Sequence, residues 1–150
     1  MNLIQTTSEQ IDQLVKISKE AFDNDITVGA KEPGGPPAYD SIAWHKQMMK
    51  DGHLYTAIVN DMIVGGAVVF VKADDLKKLY IGRIFISPDF HRKGYGIELM
   101  NCLEKYFSDC AGIYLDTPVW NVRTNAFYQK LGYEEVKRDN ECVFYRKLIK

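Results

Sequence analysis

The hydrophobic positions of the chain follow two kinds of spacing. After a Thr7–Gln10 segment with the residues of a capping box, apolar positions recur at helical intervals up to Phe22. This spacing predicts helices over Ser8–Phe22, Ile42–Met49, Gly96–Phe107 and Asn121–Leu131. Between them, short runs rich in Val, Ile and aromatic residues predict strands over Leu3–Thr6, Leu54–Val59, Met62–Lys72, Leu79–Ile86, Ile113–Thr117, Tyr133–Val136 and Val143–Leu148.

The order of these elements, β-αα-βββ-α-β-α-ββ, predicts the fold class. Close neighbours such as the two strands around the Asn60–Asp61 turn pair as hairpins, whereas the strand–helix–strand unit between Leu79 and Thr117 requires a parallel crossover. We therefore expect an α/β (mixed α+β) fold with a mixed, mostly antiparallel sheet flanked by helices. The 150 residues suffice for one domain, 1–150, with its own core.

One segment departs from both patterns. Residues Asp23–Asp40 contain a cluster of prolines and glycines between Lys31 and Tyr39, which forbids a continuous helix. A loop of this length in a compact domain is often a lid or a binding loop. A surface excursion without a role is the alternative.

The composition of the chain argues against several classes of partner and cofactor. The chain has 19 Lys and Arg against 20 Asp and Glu, a net charge of −1, which argues against a nucleic-acid partner. The three cysteines lack Cys-x-x-Cys spacing, and His45 and His53 lack ligand-spaced partners, so no metal is expected. The longest apolar run, Met62–Val71, is too short for a membrane span, and no export signal is visible. A cytoplasmic location is therefore expected, with no membrane partner.

The strongest motif follows the Leu79–Ile86 strand. His91-Arg92-Lys93-Gly94-Tyr95-Gly96 leads directly into a predicted helix, whose first N–H groups lack helical partners and attract anions. Leu99 replaces the third glycine of a dinucleotide fingerprint, and the P-loop residues are absent. The motif alone leaves a phosphate site and a plain tight turn as alternatives.

A second motif lies further along and shifts this judgement. Asn121-Val122-Arg123-Thr124-Asn125-Ala126-Phe127-Tyr128-Gln129-Lys130-Leu131-Gly132-Tyr133 is similar to N-x-x-A-x-x-h-Y-x-x-x-G-F/Y, with Thr124 at the alanine position. The first motif is similar to Q/R-x-x-G-x-G/A, with His91 at the Gln or Arg position. Both motifs, in this order, resemble the GNAT superfamily of acetyl-CoA-dependent N-acetyltransferases, and the element order agrees with that fold.

The resemblance implies acetyl-CoA as cosubstrate. It places the pantetheine arm along the strand before the glycine loop and the diphosphate on the loop itself. The residues it implies for acetyl-CoA are Ile84, Phe85, Ile86, His91, Arg92, Lys93, Gly94, Tyr95, Gly96, Ile97, Asn121 and Tyr128.

Two residues are candidates for catalysis. The resemblance implies that Tyr128 is the general acid for the departing thiolate; a core aromatic residue beside Phe127 is the alternative. Asp116 is a candidate base for the acceptor amine, or a binder of its ammonium group. It is equally explained as a strand-end aspartate that bonds the Thr117–Pro118 turn, and ordered water is another route to deprotonation.

The acceptor side is the least defined part of the site. Strand alternation places Arg83 opposite Ile84, where it could bind a substrate carboxylate, pair with Asp116 or face solvent. Tyr39, Trp44 and Trp120, with Phe22, are candidates for an acceptor wall or for the core.

The interpretation is direct acetyl transfer to a primary amine of a small, amino-acid-like molecule, without a covalent enzyme intermediate. A protein or peptide acceptor, and a non-catalytic acyl-CoA sensor, are the alternatives; a homodimer is left open.

Overall fold

The structure of the chain, a computed structural model, describes residues 1–73 and 77–149. Its strands form one seven-stranded sheet in the order β1-β2-β3-β4-β5-β7-β6. The strands are β1 Asn2–Gln5, β2 Leu54–Val59, β3 Met62–Ala73, β4 Lys77–Ile86, β5 Gly112–Pro118, β6 Glu134–Arg138 and β7 Cys142–Leu148. All neighbouring pairs are antiparallel except β4 and β5, which are parallel. The predicted fold class and element order are confirmed.

Four α-helices flank this sheet in the part of the chain that the structure describes. They are α1 Ile11–Asp23, α2 Ile42–Lys50, α3 Tyr95–Tyr106 and α4 Val122–Lys130. The helix start predicted at Gly96 lies one residue earlier, and the predicted Ser8 start is a short 3-10 turn before α1. Differences of this size are usual, because the ends of helices fray or tighten.

Each face of the sheet has its own core. On one face Leu14, Ile17 and the rest of the buried stripe of α1 pack against Val68 and Phe85. On the other face α3 and α4 cover the inward side chains of β4 and β5. Leu115 of β5 belongs to the core on the α3 and α4 face. Because side chains alternate along a strand, its neighbours Tyr114 and Asp116 point to the opposite face, where α1 and α2 lie.

The two parallel strands separate along their length. β4 and β5 pair from Lys78 with Gly112 to Ile81 with Leu115, and not beyond. At that point β4 has a bulge, because Val68 and Val69 of β3 pair with Arg83 and Ile81 and skip Gly82. The last five residues of β4 therefore have an unpaired edge that faces the end of β5.

The segment between α1 and α2 begins with a 3-10 turn over Asn24–Val28 and then continues without regular structure to Ser41. Ser41 ends it by accepting a hydrogen bond from the Trp44 N–H at 3.1 Å, which caps α2. The segment is irregular, as predicted from its prolines and glycines. It crosses the sheet on the side where β4 and β5 separate.

Candidate active site

A cavity of about 1480 Å³ lies where β4 and β5 separate. We call it the β4–β5 cavity. The predicted site residues that line it are Arg83, Ile84, Phe85, Ile86, His91, Arg92, Gly94, Tyr95, Gly96, Ile97, Asp116, Trp120, Asn121 and Tyr128. Lys93, Tyr39 and Trp44 are not among its lining residues. Residues from both ends of the chain therefore meet at one site.

The start of α3 forms one end of this cavity. Gly94 has φ of +78° and no side chain caps the helix there, whereas Ser41 and Asn121 cap α2 and α4. A Cβ atom added at Gly94 would meet no other atom within 4 Å, so the space in front of the helix is open. The first N–H groups of this 12-residue helix can therefore bind an anion, and the helix dipole favours one.

His91 stabilises the turn before this helix. Its Nε2 donates a hydrogen bond to the backbone oxygen of Ile86 at 3.0 Å, because a carbonyl can only accept. The side chain at the position of the motif's Gln or Arg thus turns back onto β4. This contact ties the end of the strand to the glycine loop.

The backbone of β4 faces the cavity at alternate residues. Ser87 N–H donates to the Val64 oxygen of β3 at 2.8 Å. Since backbone groups alternate along an antiparallel strand, those of Ile84 and Ile86 point away from β3 and into the gap, while those of Phe85 point to β3. The Ile84 N–H and C=O and the Ile86 N–H can thus pair with an extended ligand, as a peptide pairs with a sheet edge.

Tyr128 lies in α4 at the wall of the cavity. It is 6% exposed, and its ring packs against Phe127, Tyr133 and Tyr145. Burial, with a smaller contribution from the charge of Asp116, raises the pKa of the Tyr128 phenol above its usual value. The residue is therefore a core residue at the wall of the cavity, and its phenol is protonated at neutral pH.

Asn121 precedes Tyr128 in the same motif. Its Oδ1 accepts from the Thr124 N–H at 3.1 Å, which caps α4, and the side chain is buried. The Thr124 hydroxyl bonds the Thr117 hydroxyl of β5 at 2.6 Å. The threonine at the motif's alanine position thus joins α4 to the strand.

Asp116 has a partner that the sequence did not reveal. The Tyr80 hydroxyl on β4 donates to Oδ2 of Asp116 on β5. Burial first, and then this hydrogen bond to a carboxylate, raise the pKa of the Tyr80 phenol far above its usual value. The carboxylate is held in the cavity, and not by the Thr117–Pro118 turn as one alternative had it. The pairing depends on the parallel register of two strands that a helix separates, so no local signal could have found it.

Arg83 does not pair with Asp116, so that alternative is wrong. Its guanidinium carbon lies over the Trp44 ring, 4.3 Å from the ring centre, and its Nη2 donates to the Pro37 oxygen at 3.1 Å. Burial lowers the pKa of the Arg83 guanidinium to about 10, so the group stays charged at neutral pH. Trp44 therefore supports Arg83 and does not itself line the cavity.

The other aromatic candidates divide between wall and core. Trp120 is 43% exposed and, like Phe22, lines the cavity. Tyr39 donates to Asp23 at 2.7 Å and meets Phe22 edge to face, so it joins the loop to α1.

The α1–α2 segment reaches the opposite wall through two contacts. Asp25 bonds Arg123 of α4 at 3.0 Å, and a Cβ atom at Gly29 would lie 3.0 Å from the Trp120 oxygen. Burial raises the pKa of Asp25, while the charges of Arg123 and His91 oppose the shift. The segment therefore bridges the cavity from α1 to α4, through residues that the sequence pattern did not single out.

The described residues contain neither a metal-binding cluster nor a membrane-spanning helix. Within 1–73 and 77–149, no three His, Cys, Asp or Glu side chains come together as a metal ion would require. In the same ranges, no helix combines the length and the apolar composition of a membrane span.

Comparison with known proteins identifies the fold. No curated protein sequence matches the chain. Among solved structures, a GNAT-family acetyltransferase from Streptococcus agalactiae has a TM-score of 0.86 at 19% identity, covering 99% of this chain and 95% of that one. The PaiA N-acetyltransferase from Thermoplasma acidophilum, in complex with coenzyme A, has a TM-score of 0.81 at 14% identity, with 98% of each chain covered.

A third similar structure is the ribosomal-protein-S18-alanine N-acetyltransferase from Escherichia coli, with a TM-score of 0.73 at 16% identity. The match covers 99% of this chain and 94% of that one. At these identities the structures show a shared fold. A family model described as the acetyltransferase (GNAT) family matches residues 11–133. Together with the separated parallel strands and the uncapped glycine loop, this match shows that the chain belongs to the GNAT family of acetyltransferases.

Proposed function

We propose that this protein transfers the acetyl group of acetyl-CoA directly to the primary amine of a small, amino-acid-like molecule. One observation carries the proposal. The unpaired edge of β4, with the Ile84 and Ile86 backbone groups in the gap, leads straight to the uncapped start of α3. A ligand with an amide-containing arm and a diphosphate fits this combination, and acetyl-CoA is such a ligand.

The residues for acetyl-CoA divide by the part of the molecule they would hold. The N–H groups of Tyr95, Gly96 and Ile97 would bind the diphosphate, and the charge of Arg92 would attract it. The backbone of Ile84 and Ile86 would pair with the pantetheine amides. An N–H on this edge would stabilise the oxyanion, and loss of one such donor typically costs about 10²–10³ in rate.

Asp116 and Tyr128 would handle the protons. The acceptor nitrogen attacks the thioester carbonyl carbon, a C–N bond forms and the C–S bond breaks. Asp116 takes the proton that the ammonium loses before the attack, directly or through a water. The nitrogen loses its second proton as the C–S bond breaks, and this proton ends on the departing thiolate, to which Tyr128 donates a hydrogen bond. Because its pKa is raised, Tyr128 stays protonated at neutral pH and acts as a hydrogen-bond donor while charge develops on the sulfur.

The bridge from Asp25 to Arg123 favours a small acceptor. It joins the α1–α2 segment to α4, and Gly29 of the same segment approaches Trp120, so the segment limits the space on that side of the cavity. A folded protein would have to displace this segment before its chain could enter. The GNAT structures similar to this one include an enzyme named for a ribosomal protein, so a peptide acceptor is the natural comparison.

Release of the CoA thiol tests the proposal. Purified protein is incubated with acetyl-CoA and a panel of amino acids, small amines, polyamines and peptides. We expect release above the no-acceptor rate with small amines and an acetylated product by mass spectrometry. Activity with peptides alone would overturn the small acceptor, and acetyl-CoA binding without release for any amine would indicate the sensor.

A further inference from the structure

We propose that Arg83 binds a carboxylate of the acceptor, so that the acceptor is an amino acid or another amine with a carboxylate close to its amino group. This inference rests on the proposed function, because it specifies the acceptor of the same cavity.

The charge of Arg83 has no anionic partner in the described part of the chain. Its polar contact is with the neutral Pro37 oxygen, and its ring contact is with the neutral Trp44 indole. Burial lowers the pKa of the Arg83 guanidinium, as expected for a cation without a carboxylate beside it. A half-buried cation without a counterion is costly, and proteins usually pair such a group.

One donor of this guanidinium is also without a partner. Nη1 of Arg83 is enclosed and makes no hydrogen bond to the described residues. A buried donor left unpaired costs more than an exposed one, because it has lost its water. The guanidinium lies over the Trp44 ring, which covers its face, and Nη1 is enclosed, so an acceptor carboxylate would reach Nη1 only by displacing the groups packed against it.

The position of Arg83 relates this donor to the reaction. It directly precedes Ile84 on the unpaired edge of β4, and it lines the same cavity as Asp116 and Tyr128. The acceptor side therefore presents one carboxylate and one guanidinium. An acceptor ammonium at Asp116 and an acceptor carboxylate at Arg83 would match both charges, as a zwitterionic amino acid does.

A structural role for Arg83 is the rival explanation. The bonds to Pro37 and Trp44 join β4 to the α1–α2 segment and to α2, which would suffice to retain an arginine. His45 Nε2 is a second enclosed atom without a partner, and a water between the two side chains would satisfy both hydrogen bonds. Neither the contacts with Pro37 and Trp44 nor such a water supplies negative charge, and neither predicts a preference among acceptors.

The test compares amino acids with their primary amides, which differ at the carboxylate. Values of kcat/KM are measured for both series with the wild type, R83Q, R83K and R138Q, an exposed arginine of β6 that serves as the control. For each protein, kcat/KM for an amino acid is divided by kcat/KM for its amide. This ratio in a variant is then divided by the same ratio in the wild type, which cancels the difference in amine basicity.

We expect this ratio to fall about 10- to 100-fold in R83Q, less in R83K, and not at all in R138Q. An equal loss for acids and amides in R83Q would overturn the proposal and leave the structural tie. A wild type that acetylates amides as well as acids, once kcat/KM is corrected for the fraction of unprotonated amine, would overturn it too. R83K keeps the charge and decides the case if R83Q does not fold.

A separate measurement distinguishes this inference from the proposed function. If no amine in either series is acetylated, the proposed function fails, and binding decides the inference. Amino acids and their amides are titrated calorimetrically into the protein saturated with CoA. Tighter binding of the acids that R83Q abolishes supports a carboxylate site, whereas equal or undetectable binding of both overturns it.

Discussion

The Tyr80 hydroxyl donates a hydrogen bond to the Asp116 carboxylate across the two parallel strands. The bond lies just where the strands cease to pair, and it leaves Asp116 at the wall of the β4–β5 cavity. Tyr80 thus positions the residue that we propose as the base.

Asp116→Asn is expected to lower kcat/KM for the amine by about 10²-fold, because general base catalysis contributes at least this much. The deficit should shrink as the pH rises toward the pKa of the acceptor amine, since a free amine needs no base. The measurement is a pH profile of the wild type, D116N and Y80F, with Y80F losing less. Asp61→Asn, in the exposed β2–β3 turn, is the matched control. A deficit of D116N that stays constant with pH would contradict a role as base.

Tyr128→Phe is expected to lower kcat by about 10²-fold or more, with the Kd for CoA nearly unchanged, because it removes the donor to the departing sulfur. Tyr133→Phe provides the control. Tyr133 is a buried tyrosine whose hydroxyl has no partner in the described chain and lies outside the cavity lining. Equal rates for Y128F and Y133F would show that Tyr128 serves the core alone.

Gly94→Ala tests the glycine loop. An alanine at φ of +78° costs about 1–2 kcal/mol, and its methyl group would occupy the open space before α3. We expect weaker binding of acetyl-CoA by calorimetry and a modest loss of stability. Gly132→Ala imposes a similar strain, at φ of +91°, after α4 and away from the cavity. It should lose stability and keep its affinity; a similar loss of affinity in both variants would assign the effect to the fold.

Alkaline pH should destabilise the protein through its buried tyrosines. The pKa values of Tyr80, Tyr128 and Tyr133 are raised, chiefly by burial, so the folded state keeps protons that the unfolded chain releases. Their contribution is complete below about pH 10, the usual tyrosine pKa, and is lost as the pH rises beyond it. Each such group adds about 1.4 kcal/mol per pH unit to the decline of the free energy of unfolding.

Urea unfolding of the wild type and Y133F between pH 9 and 11.5 measures this decline. Y133F should lose stability less steeply, because one of the tyrosines with a raised pKa is gone. Identical slopes for the two proteins would show that Tyr133 ionises equally well in the folded state.

Local signals account for what the sequence predicted correctly. The hairpins depend on turns such as Asn60–Asp61, and the glycine loop before α3 depends on Gly94, so both can be identified from a few consecutive residues. The Tyr80–Asp116 bond and the bulge at Gly82 depend on how β4 aligns with strands distant in sequence. Trp44, an aromatic residue, was a candidate for the wall of the acceptor site, but in the folded chain its ring packs against the Arg83 guanidinium.

The central claim is that the edge of β4 and the start of α3 hold acetyl-CoA. Hydrogen exchange of individual backbone amides, followed by NMR with and without saturating acetyl-CoA, tests it most directly. The account predicts that exchange slows at least tenfold at Ile84, Ile86 and Gly96, while Phe85, whose N–H already faces β3, changes little. Saturation that leaves the Ile84, Ile86 and Gly96 amides exchanging at their original rates would contradict it.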